Sequence, residues 1–362
     1  MPLATARTPC DAADHFLPEA EVSGFDREGV SRHLAGAGLD FDPRQPFRQF
    51  SGGLANRNYL VEIDGRPAVL RRPPAGPLPP GAHDMAREHR VLTGLSACLP
   101  FVPQSLHYCP DRSVIGVPFQ IVEYRSGLVV RDALPPGRDA VDVSARLSQV
   151  LVDTIAQIHA VDSESCGLSG LGRPQGFVDR AVAGWTKRGL LVADEGASAI
   201  VEALGRWLSR RPFRDEPHGL IHLDFKLDNM ILDPGTLEVR AVIDWDMGTV
   251  GNTLFDFSAM LSYWGETGDP PALTGPVMMP TAQPGFWTRT EASARYCELT
   301  GRDPANLADF RILALFRLAV VYLQLHRQWA DGRVKGARYE GFRDRGEQLL
   351  AHVWDMARER PD

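Results

Sequence analysis

The chain contains no Walker A sequence, no zinc-like pair of cysteines and no apolar run long enough to span a membrane. The first absence excludes the P-loop class of nucleotide-binding proteins. The 5 cysteines are odd in number and widely spread, which predicts reduced thiols in a cytoplasmic protein. The first 16 residues lack the apolar core of a signal peptide. The most apolar run, residues 312–325, carries Arg317 and is predicted to be a buried helix.

A surplus of basic charge is also lacking. The net charge is -7 and the arginines are scattered, so we expect no nucleic-acid partner and no membrane partner. Hydrophobic residues make up 44% of the chain and charged residues 23%, as in ordinary globular proteins. The 362 residues suffice for one large or two medium domains with a real core. The oligomeric state is left open, because exposed patches are not visible in a linear chain.

The predicted secondary structure changes in character along the chain. Short strands are predicted at 47–51, 58–63, 67–71, 106–108 and 118–123, and a helix at 85–95. The dipeptide Asp64-Gly65 predicts a hairpin turn between two of these strands. After Gly127 the pattern is mainly helical. We therefore predict an N-terminal β-rich part (residues 1–122, loosely ordered over about the first 24), a hinge (123–127) and a helical C-terminal part (128–362).

The most informative stretch is the segment 222–229, His-Leu-Asp-Phe-Lys-Leu-Asp-Asn, followed at 243–246 by Ile-Asp-Trp-Asp. It places Asp224, Lys226 and Asn229 in one short segment, and Asp244 after a strand-like run. Phosphoryl transfer from ATP requires a carboxylate to accept the proton of the attacking hydroxyl and a cation to neutralise the moving group. It also requires an amide and a second carboxylate to hold magnesium. The protein-kinase catalytic loop has this order and spacing.

Three residues near this segment have structural roles as their main or alternative interpretation. His222 is interpreted as a structural brace of the loop, not as a proton shuttle. Asp246 either binds a second magnesium or caps the following turn. Asp256 is predicted to cap a helix and steady the loop. For Asp224 alone, a turn or cap residue is the plain alternative, but the joint pattern with the other three side chains makes that alternative poor.

A glycine pair and a strand-end arginine complete the candidate nucleotide site. Residues 51–56 include paired glycines between two strands, which would let backbone N–H groups approach phosphate oxygens; an ordinary hairpin turn is the alternative. Residues 68–71, Ala-Val-Leu-Arg, match the third kinase strand, with Arg in place of the usual Lys. Glu88, in the predicted helix, is the natural partner of Arg71. A strand ending in solvated arginines is the alternative, and the choice between Arg71 and Arg72 depends on strand register.

These residues resemble the aminoglycoside-phosphotransferase superfamily, the small-molecule branch of the protein-kinase-like fold. That family's pattern is His-Gly-Asp, four residues, Asn, then Ile-Asp-Trp. This chain has it at 222–229 and 243–245, except that Leu223 replaces the glycine. The resemblance covers residues 47–358. The protein-kinase Ala-Pro-Glu element is absent, which disfavours a protein substrate.

The resemblance implies an α+β, bilobal protein-kinase-like fold that binds ATP and Mg between a β-rich and a helical lobe. It implies that Asp224 is the catalytic base, that Lys226 steadies the transferred group, and that Asn229 and Asp244 hold the metal. The residues implied in nucleotide binding are Ser51, Gly52, Gly53 and Asn56 over the phosphates, Arg71 with Glu88 at the phosphates, and Val122, Glu123 and Arg125 at adenine.

A narrower resemblance concerns the substrate. Residues 69–74 and 82–88, together with 284–286, Arg289 and 301–303, resemble the phosphotransferase domains fused to acyl-CoA dehydrogenases and their free-standing bacterial relatives. This implies a hydroxyacyl-CoA as the small-molecule alcohol. The alternatives are an antibiotic kinase (aminoglycoside or macrolide), a choline or sugar kinase, and a non-catalytic pseudokinase. The segment 265–288 either lines the acceptor site or crosses the surface.

Overall fold

The computed structural model describes residues 16–51, 56–74, 84–131, 133–135, 139–213, 218–274, 277–334 and 336–360. The chain divides into two compact units. The first unit comprises Met1–Val129, Glu164–Leu168 and Asn229–Gly248, and the second comprises Val130–Ser163, Ser169–Asp228 and Thr249–Asp362. The first unit thus includes two segments that follow the predicted hinge in sequence.

A five-stranded antiparallel sheet forms the centre of the first unit, in the order β1-β2-β3-β5-β4. Its strands are β1 (Arg48–Gln49), β2 (Arg57–Ile63), β3 (Arg66–Arg72), β4 (Ser105–Cys109) and β5 (Phe119–Glu123). The predicted hairpin between β2 and β3 is confirmed. Asp64 and Gly65 have φ values of 51° and 71°, as a two-residue turn with both central residues in the left-handed region requires.

Three helices accompany this sheet, α1 (Arg27–Gly36), α2 (Met85–Leu95) and α3 (Arg112–Ile115). The predicted helix at 85–95 is confirmed. It begins where the Asp84 side chain accepts a hydrogen bond from the Arg87 N–H. Its buried face repeats at helical spacing and includes Glu88 among apolar side chains. The second hairpin of the unit consists of β7 (Met230–Leu232) and β8 (Val239–Val242).

The prediction of reduced thiols is wrong for two of the cysteines. Cys98, just after α2, forms a disulfide with Cys166, 68 residues further along the chain. Cysteine spacing in the sequence identifies only pairs that are close along the chain. Cys98 and Cys166 come together because residues 164–168 belong to the first unit. Cys109 and Cys297 are free, and Cys10 lies outside the described residues.

The second unit is mainly helical. Its helices are α4 (Ala140–His159), α5 (Phe177–Leu190), α6 (Glu195–Arg210), α7 (Thr253–Leu261), α8 (Arg289–Thr300), α9 (Leu307–Ala330) and α10 (Phe342–Arg358). Strands β6 (His218–Ile221) and β9 (Thr249–Asn252) form an antiparallel pair. The predicted buried helix at 312–325 is confirmed as the centre of α9, in which Arg317 is buried. In the described part of the chain, no helix has the length and apolar character of a membrane span.

Candidate active site

Arg71 lies near the end of β3, where it is buried and bonded to three side chains of the first unit. Its Nε donates to Oε2 of Glu88 over 2.9 Å, and its Nη2 donates to Oδ1 of Asp244 over 2.5 Å. Its Nη1 donates over 3.1 Å to the side chain of Asn58, the residue opposite on β2. One guanidinium therefore joins the sheet, α2 and the segment after β8. The forked guanidinium gives each partner its own N–H, which the compact ammonium of a lysine would not do in this geometry.

Arg72 has different partners. Its Nη2 donates to the Gly24 carbonyl over 3.1 Å and to the Tyr59 hydroxyl over 2.9 Å. Adjacent strand residues face opposite sides of a sheet, which explains the divergence. The register of β3 therefore pairs Arg71, not Arg72, with Glu88.

The Arg71–Glu88 pair is buried. Glu88 is 1% exposed, and its Oε2 also accepts a hydrogen bond of 2.6 Å from the Gln120 side chain. Burial raises the pKa of Glu88, while the charge of Arg71 opposes that rise. Burial by itself would lower the pKa of Arg71, but the surrounding carboxylates, Glu88 first, outweigh it and raise that pKa. Removal of Arg71 would leave the Glu88 carboxylate buried without a compensating charge, whereas Arg71 without Glu88 would still contact Asp244.

Asp244 stands just after β8 in a left-handed backbone conformation, with a φ of 68°. The following indole, Trp245, is fully buried and its Nε1 donates to the Val242 carbonyl over 2.9 Å. The Ile243 N–H donates to the Asn229 carbonyl over 3.0 Å. The two candidate metal ligands therefore lie on backbone segments that are bonded to each other.

The donor set of these two residues suits magnesium. Asn229 supplies an amide oxygen and Asp244 a carboxylate, both hard oxygen ligands. Within the described ranges, no group of three or more His, Cys, Asp or Glu side chains could hold a metal by itself. Magnesium bound here would take its remaining ligands from phosphate oxygens and water, as is usual for this ion. Asp246, the possible second ligand, is buried and accepts a hydrogen bond of 3.3 Å from the Asn56 side chain.

The predicted phosphate-covering segment is described only at its ends. Ser51 is exposed in a bend, and Asn56 is buried against Asp246. Gly52 and Gly53 lie outside the described residues, so their role stays a prediction.

The adenine contacts assigned to Val122, Glu123 and Arg125 stay predictions. Val122 lies in β5 opposite Val69 and is buried. The Glu123 N–H donates to the Gln104 carbonyl over 2.9 Å, so it is not available to adenine, and a contact at Glu123 would have to use its carbonyl oxygen. The Glu123 carboxylate is 2.7 Å from Nε of Arg125. The hydrogen bond between Glu123 and Gln104 depends on the pairing of β4 with β5, which no local pattern in the sequence shows.

In the second unit, the loop after β6 carries the candidate base. Nζ of Lys226 is 3.6 Å from Oδ2 of Asp224 and 3.4 Å from Oδ2 of Asp228, so the ammonium lies between two carboxylates. The same Nζ is 5.1 Å from the ring centre of Tyr263. Burial, and then the negative charge of Asp224, raise the pKa of the Tyr263 hydroxyl. The Leu227 N–H donates to the sulfur of Met279 over 3.4 Å, so Met279, in the segment 265–288, contacts this loop.

Asp256, on the fully buried helix α7, holds the backbone of the loop. Its Oδ2 accepts from the His222 N–H over 2.7 Å and from Nε2 of His159 over 3.0 Å. Its Oδ1 accepts from the Leu223 N–H over 2.7 Å. The His222 ring is fully buried and its Nδ1 accepts from the Asp224 N–H over 3.3 Å, as expected for a structural brace. Burial would raise the pKa of Asp256, but these hydrogen bonds, that of His159 first, lower it below its usual value.

Leu223, which stands where the resembling family has glycine, adopts a φ of 67°. A left-handed conformation costs a residue with a side chain about 1–2 kcal/mol. Its N–H bonds Asp256, and its carbonyl accepts from Nη2 of Arg317 over 2.6 Å. Hydrogen bonds at both ends of the residue therefore maintain the backbone conformation that a glycine would adopt without strain.

Replacing Leu223 by Gly should leave the rate nearly unchanged, within about 3-fold, because both functional contacts come from the backbone. Relief of strain and the greater freedom of the unfolded chain oppose each other, so the free energy of unfolding should change by no more than about 1 kcal/mol. Leu223→Val is the matched control, because a β-branched residue is poorly tolerated at positive φ. Steady-state kinetics and urea denaturation compare the two. Equal losses in both variants would show that the Leu side chain itself is required.

The family model of the phosphotransferase enzyme family (APH) matches residues 46–276, which is more than half of the chain. The chain belongs to the phosphotransferase enzyme family. The matched region of this phosphotransferase contains Arg71, Glu88, the 222–229 loop and Asp244. The family expected from the sequence is thus confirmed.

Curated relatives of this phosphotransferase are acyl-CoA dehydrogenase family members. Family member 11 of Gallus gallus is 36% identical over 249 residues, which are 66% of this chain and 31% of the relative. Family member 10 of Mus musculus is 29% identical over 348 residues, 94% of this chain and 32% of the relative. The chain spans about a third of the length of these relatives.

Solved structures share the fold. A Ralstonia eutropha protein named for the aminoglycoside phosphotransferases matches with a TM-score of 0.76 at 24% identity, covering 94% of this chain and 100% of that one. The aminoglycoside phosphotransferase APH(4)-Ia, solved with ADP and hygromycin B, matches with a TM-score of 0.60 at 18% identity, over 91% of this chain and 98% of that one. At these identities the likeness shows the fold alone, and it confirms the α+β protein-kinase-like class.

Three contributors to the site were missed from the sequence. Asn58 and Gln120 bond Arg71 and Glu88, and Arg317 bonds the loop carbonyl. Asn58 and Gln120 have no recognisable motif, because strand register alone brings them to the pair. Arg317 did have a signal, since a single arginine within an otherwise apolar helix must have a buried polar partner.

Proposed function

We propose that this phosphotransferase moves the γ-phosphoryl group of ATP to a hydroxyl of a small molecule in a magnesium-dependent reaction. The observation that carries the proposal is the contact of one buried cation, Arg71, with both Glu88 and Asp244. Kinase-type transfer requires a strand cation paired with a helix carboxylate, together with a metal-binding carboxylate. An arginine without a functional role is usually exposed to solvent, whereas Arg71 is buried between two carboxylates.

The acceptor hydroxyl is oriented by Asp224, which takes its proton as the oxygen attacks phosphorus. Lys226 shares its charge between Asp224 and Asp228, and it stabilises negative charge on the transferred group. Asp256 is a positioning residue, because its carboxylate fixes the backbone of the residues that precede Asp224.

ATP is held by the residues of the first unit. Arg71, positioned by Glu88, contacts the phosphates, and the segment from Ser51 to Asn56 covers them. Asn229 and Asp244 would hold Mg, which would neutralise phosphate charge and orient the γ-phosphoryl group. Val122, the Glu123 carbonyl and the Arg125 backbone receive adenine.

The acceptor that we propose is a hydroxyacyl-CoA. The support comes from the curated relatives, which are named as acyl-CoA dehydrogenase family members and match up to 94% of this chain. Antibiotics are the main rivals, because the structural neighbours include a complex with hygromycin B and a macrolide 2'-phosphotransferase. The cytoplasmic location stays a prediction that cell fractionation tests.

A screen of acceptors tests the proposal. The protein is incubated with ATP, magnesium and, in turn, hydroxyacyl-CoA compounds, aminoglycosides, macrolides, choline and sugars, and phosphorylated product is detected by mass spectrometry. We expect product with a hydroxyacyl-CoA and none with Asp244→Ala. Product only with an antibiotic would refute the acceptor assignment. Tight ATP binding without any product would identify a pseudokinase.

A further inference from the structure

Trp185 on α5 has two guanidinium groups against its indole ring. Cζ of Arg188, one turn further along the same helix, is 3.9 Å from the ring centre. Cζ of Arg317, from α9, is 5.5 Å from it. Trp185 is half-buried and Arg188 is exposed, so this cluster (Trp185, Arg188 and Arg317) reaches the surface of the second unit.

The positive charge of the cluster has no carboxylate partner among the described residues. Arg317 is 3% exposed, its Nη2 bonds the Leu223 carbonyl, and its Nη1 has no hydrogen-bond partner in the described part of the chain. Partial burial of the Arg188 guanidinium, and then the charge of Arg317, lower the pKa of Arg188. Two like charges held close together, one of them buried, are unfavourable for stability. Such arrangements persist where a ligand supplies the opposite charge.

The cluster is adjacent to the candidate base. Arg317 bonds the carbonyl of Leu223, the residue that precedes Asp224. The Tyr263 hydroxyl is close enough to both Asp224 and Arg317 for their charges to act on its pKa in opposite directions. The cluster therefore lies within reach of an acceptor molecule whose hydroxyl is placed at Asp224.

We propose that Arg188, Trp185 and Arg317 bind an anionic group, a phosphate or a carboxylate, on the acceptor that is phosphorylated at Asp224. Guanidinium groups suit this task because their paired N–H donors match the oxygens of both anions. Exposed Arg188 makes the direct contact with the anion, and buried Arg317 adds its positive charge. The same charges repel polycationic acceptors such as aminoglycosides. This inference rests on the proposed function and adds to it the charge of the substrate.

The test compares Arg188→Glu with Lys187→Glu. Lys187 is the exposed neighbour on α5, so the control makes the same change in net charge outside the cluster. The acceptors are a hydroxyacyl-CoA, the same acyl group on neutral pantetheine, and a free hydroxy acid with its amide. We expect Arg188→Glu to raise KM for the matching anionic acceptor about 10-fold or more, with a smaller effect on kcat, and to change KM for its neutral analogue less than about 2-fold. A selective loss with the hydroxyacyl-CoA would identify the bound anion as a phosphate. A selective loss with the free hydroxy acid would identify it as a carboxylate.

Equal effects of the two variants, or equal effects on charged and neutral acceptors, would overturn the inference. The absence of product from every acceptor would instead refute the proposed function. In that case, binding of coenzyme A is measured by calorimetry with saturating ADP and magnesium. Binding about 10-fold weaker in Arg188→Glu than in Lys187→Glu supports the anion site, and equal affinities overturn it.

Discussion

Asp224→Asn is expected to lower kcat by about 10²- to 10⁴-fold, the range that general-base catalysis typically contributes. The amide retains the size of the side chain but cannot accept the proton of the attacking hydroxyl. Folding should be nearly unaffected, because Asp224 is only partly buried and its 3.6 Å contact with Lys226 is partly solvated. Single-turnover transfer from ATP, together with a thermal unfolding curve, measures both effects.

Asp228→Asn is the matched control. It makes the same chemical change on the other carboxylate that contacts Lys226, at 3.4 Å. Because Asp228 is not assigned to proton transfer, we expect a loss of less than about 10-fold in kcat. Similar losses from both variants would mean that the two carboxylates act only by placing Lys226. Near-full activity of Asp224→Asn would remove Asp224 from its role as the base.

Asp256→Asn is expected to lower the free energy of unfolding by about 3–5 kcal/mol, as the loss of a buried charged partner usually does. Asp256 is fully buried and accepts three hydrogen bonds, two of them from the backbone of the catalytic loop. The amide of asparagine would point an N–H donor at one of these donors. Activity should fall together with stability, because the backbone that positions Asp224 loses its anchor. Urea denaturation and kcat, each measured at pH 7, report the two losses.

The pH dependence has a defined sign. The folded pKa of Asp256 lies below its ordinary value of 3.8, so its stabilising contribution is complete above that value and is lost as pH falls through the lower, folded pKa. The stability difference between wild type and Asp256→Asn should therefore be constant from about pH 5 to 7 and shrink below about pH 4. Asp139→Asn is the control, because this exposed carboxylate also accepts two backbone N–H bonds, at the start of α4. Asparagine caps helices well, so that change should cost less than about 0.5 kcal/mol.

Much of the architecture could be predicted because its signals are local. The Asp64-Gly65 turn and the apolar spacing of α2 each depend on a few consecutive residues, and both are confirmed. The family pattern at 222–229 and 243–245 has the same property, and the family model confirms the family. The assignments of individual residues to base, metal and nucleotide stay predictions.

Features that depend on pairing between distant residues could not be predicted. Strand register made Arg71, and not Arg72, the partner of Glu88. The hydrogen bond from the Glu123 N–H to the Gln104 carbonyl likewise depends on how β4 aligns with β5. The disulfide joins Cys98 and Cys166 across 68 residues, against the expectation of reduced thiols.

The sequence by itself determined which chemical groups are available for transfer, because Asp224, Lys226 and Asn229 fall within one short loop and their spacing is a local property. Tertiary structure alone decided how those groups are supported. Arg71 reaches Asp244 across 173 residues, and Asp256 and Arg317 bond the backbone of the loop from two separate helices. Such contacts arise only when helices and strands pack, since the burial of apolar faces, not the order of residues in the chain, sets which polar groups meet.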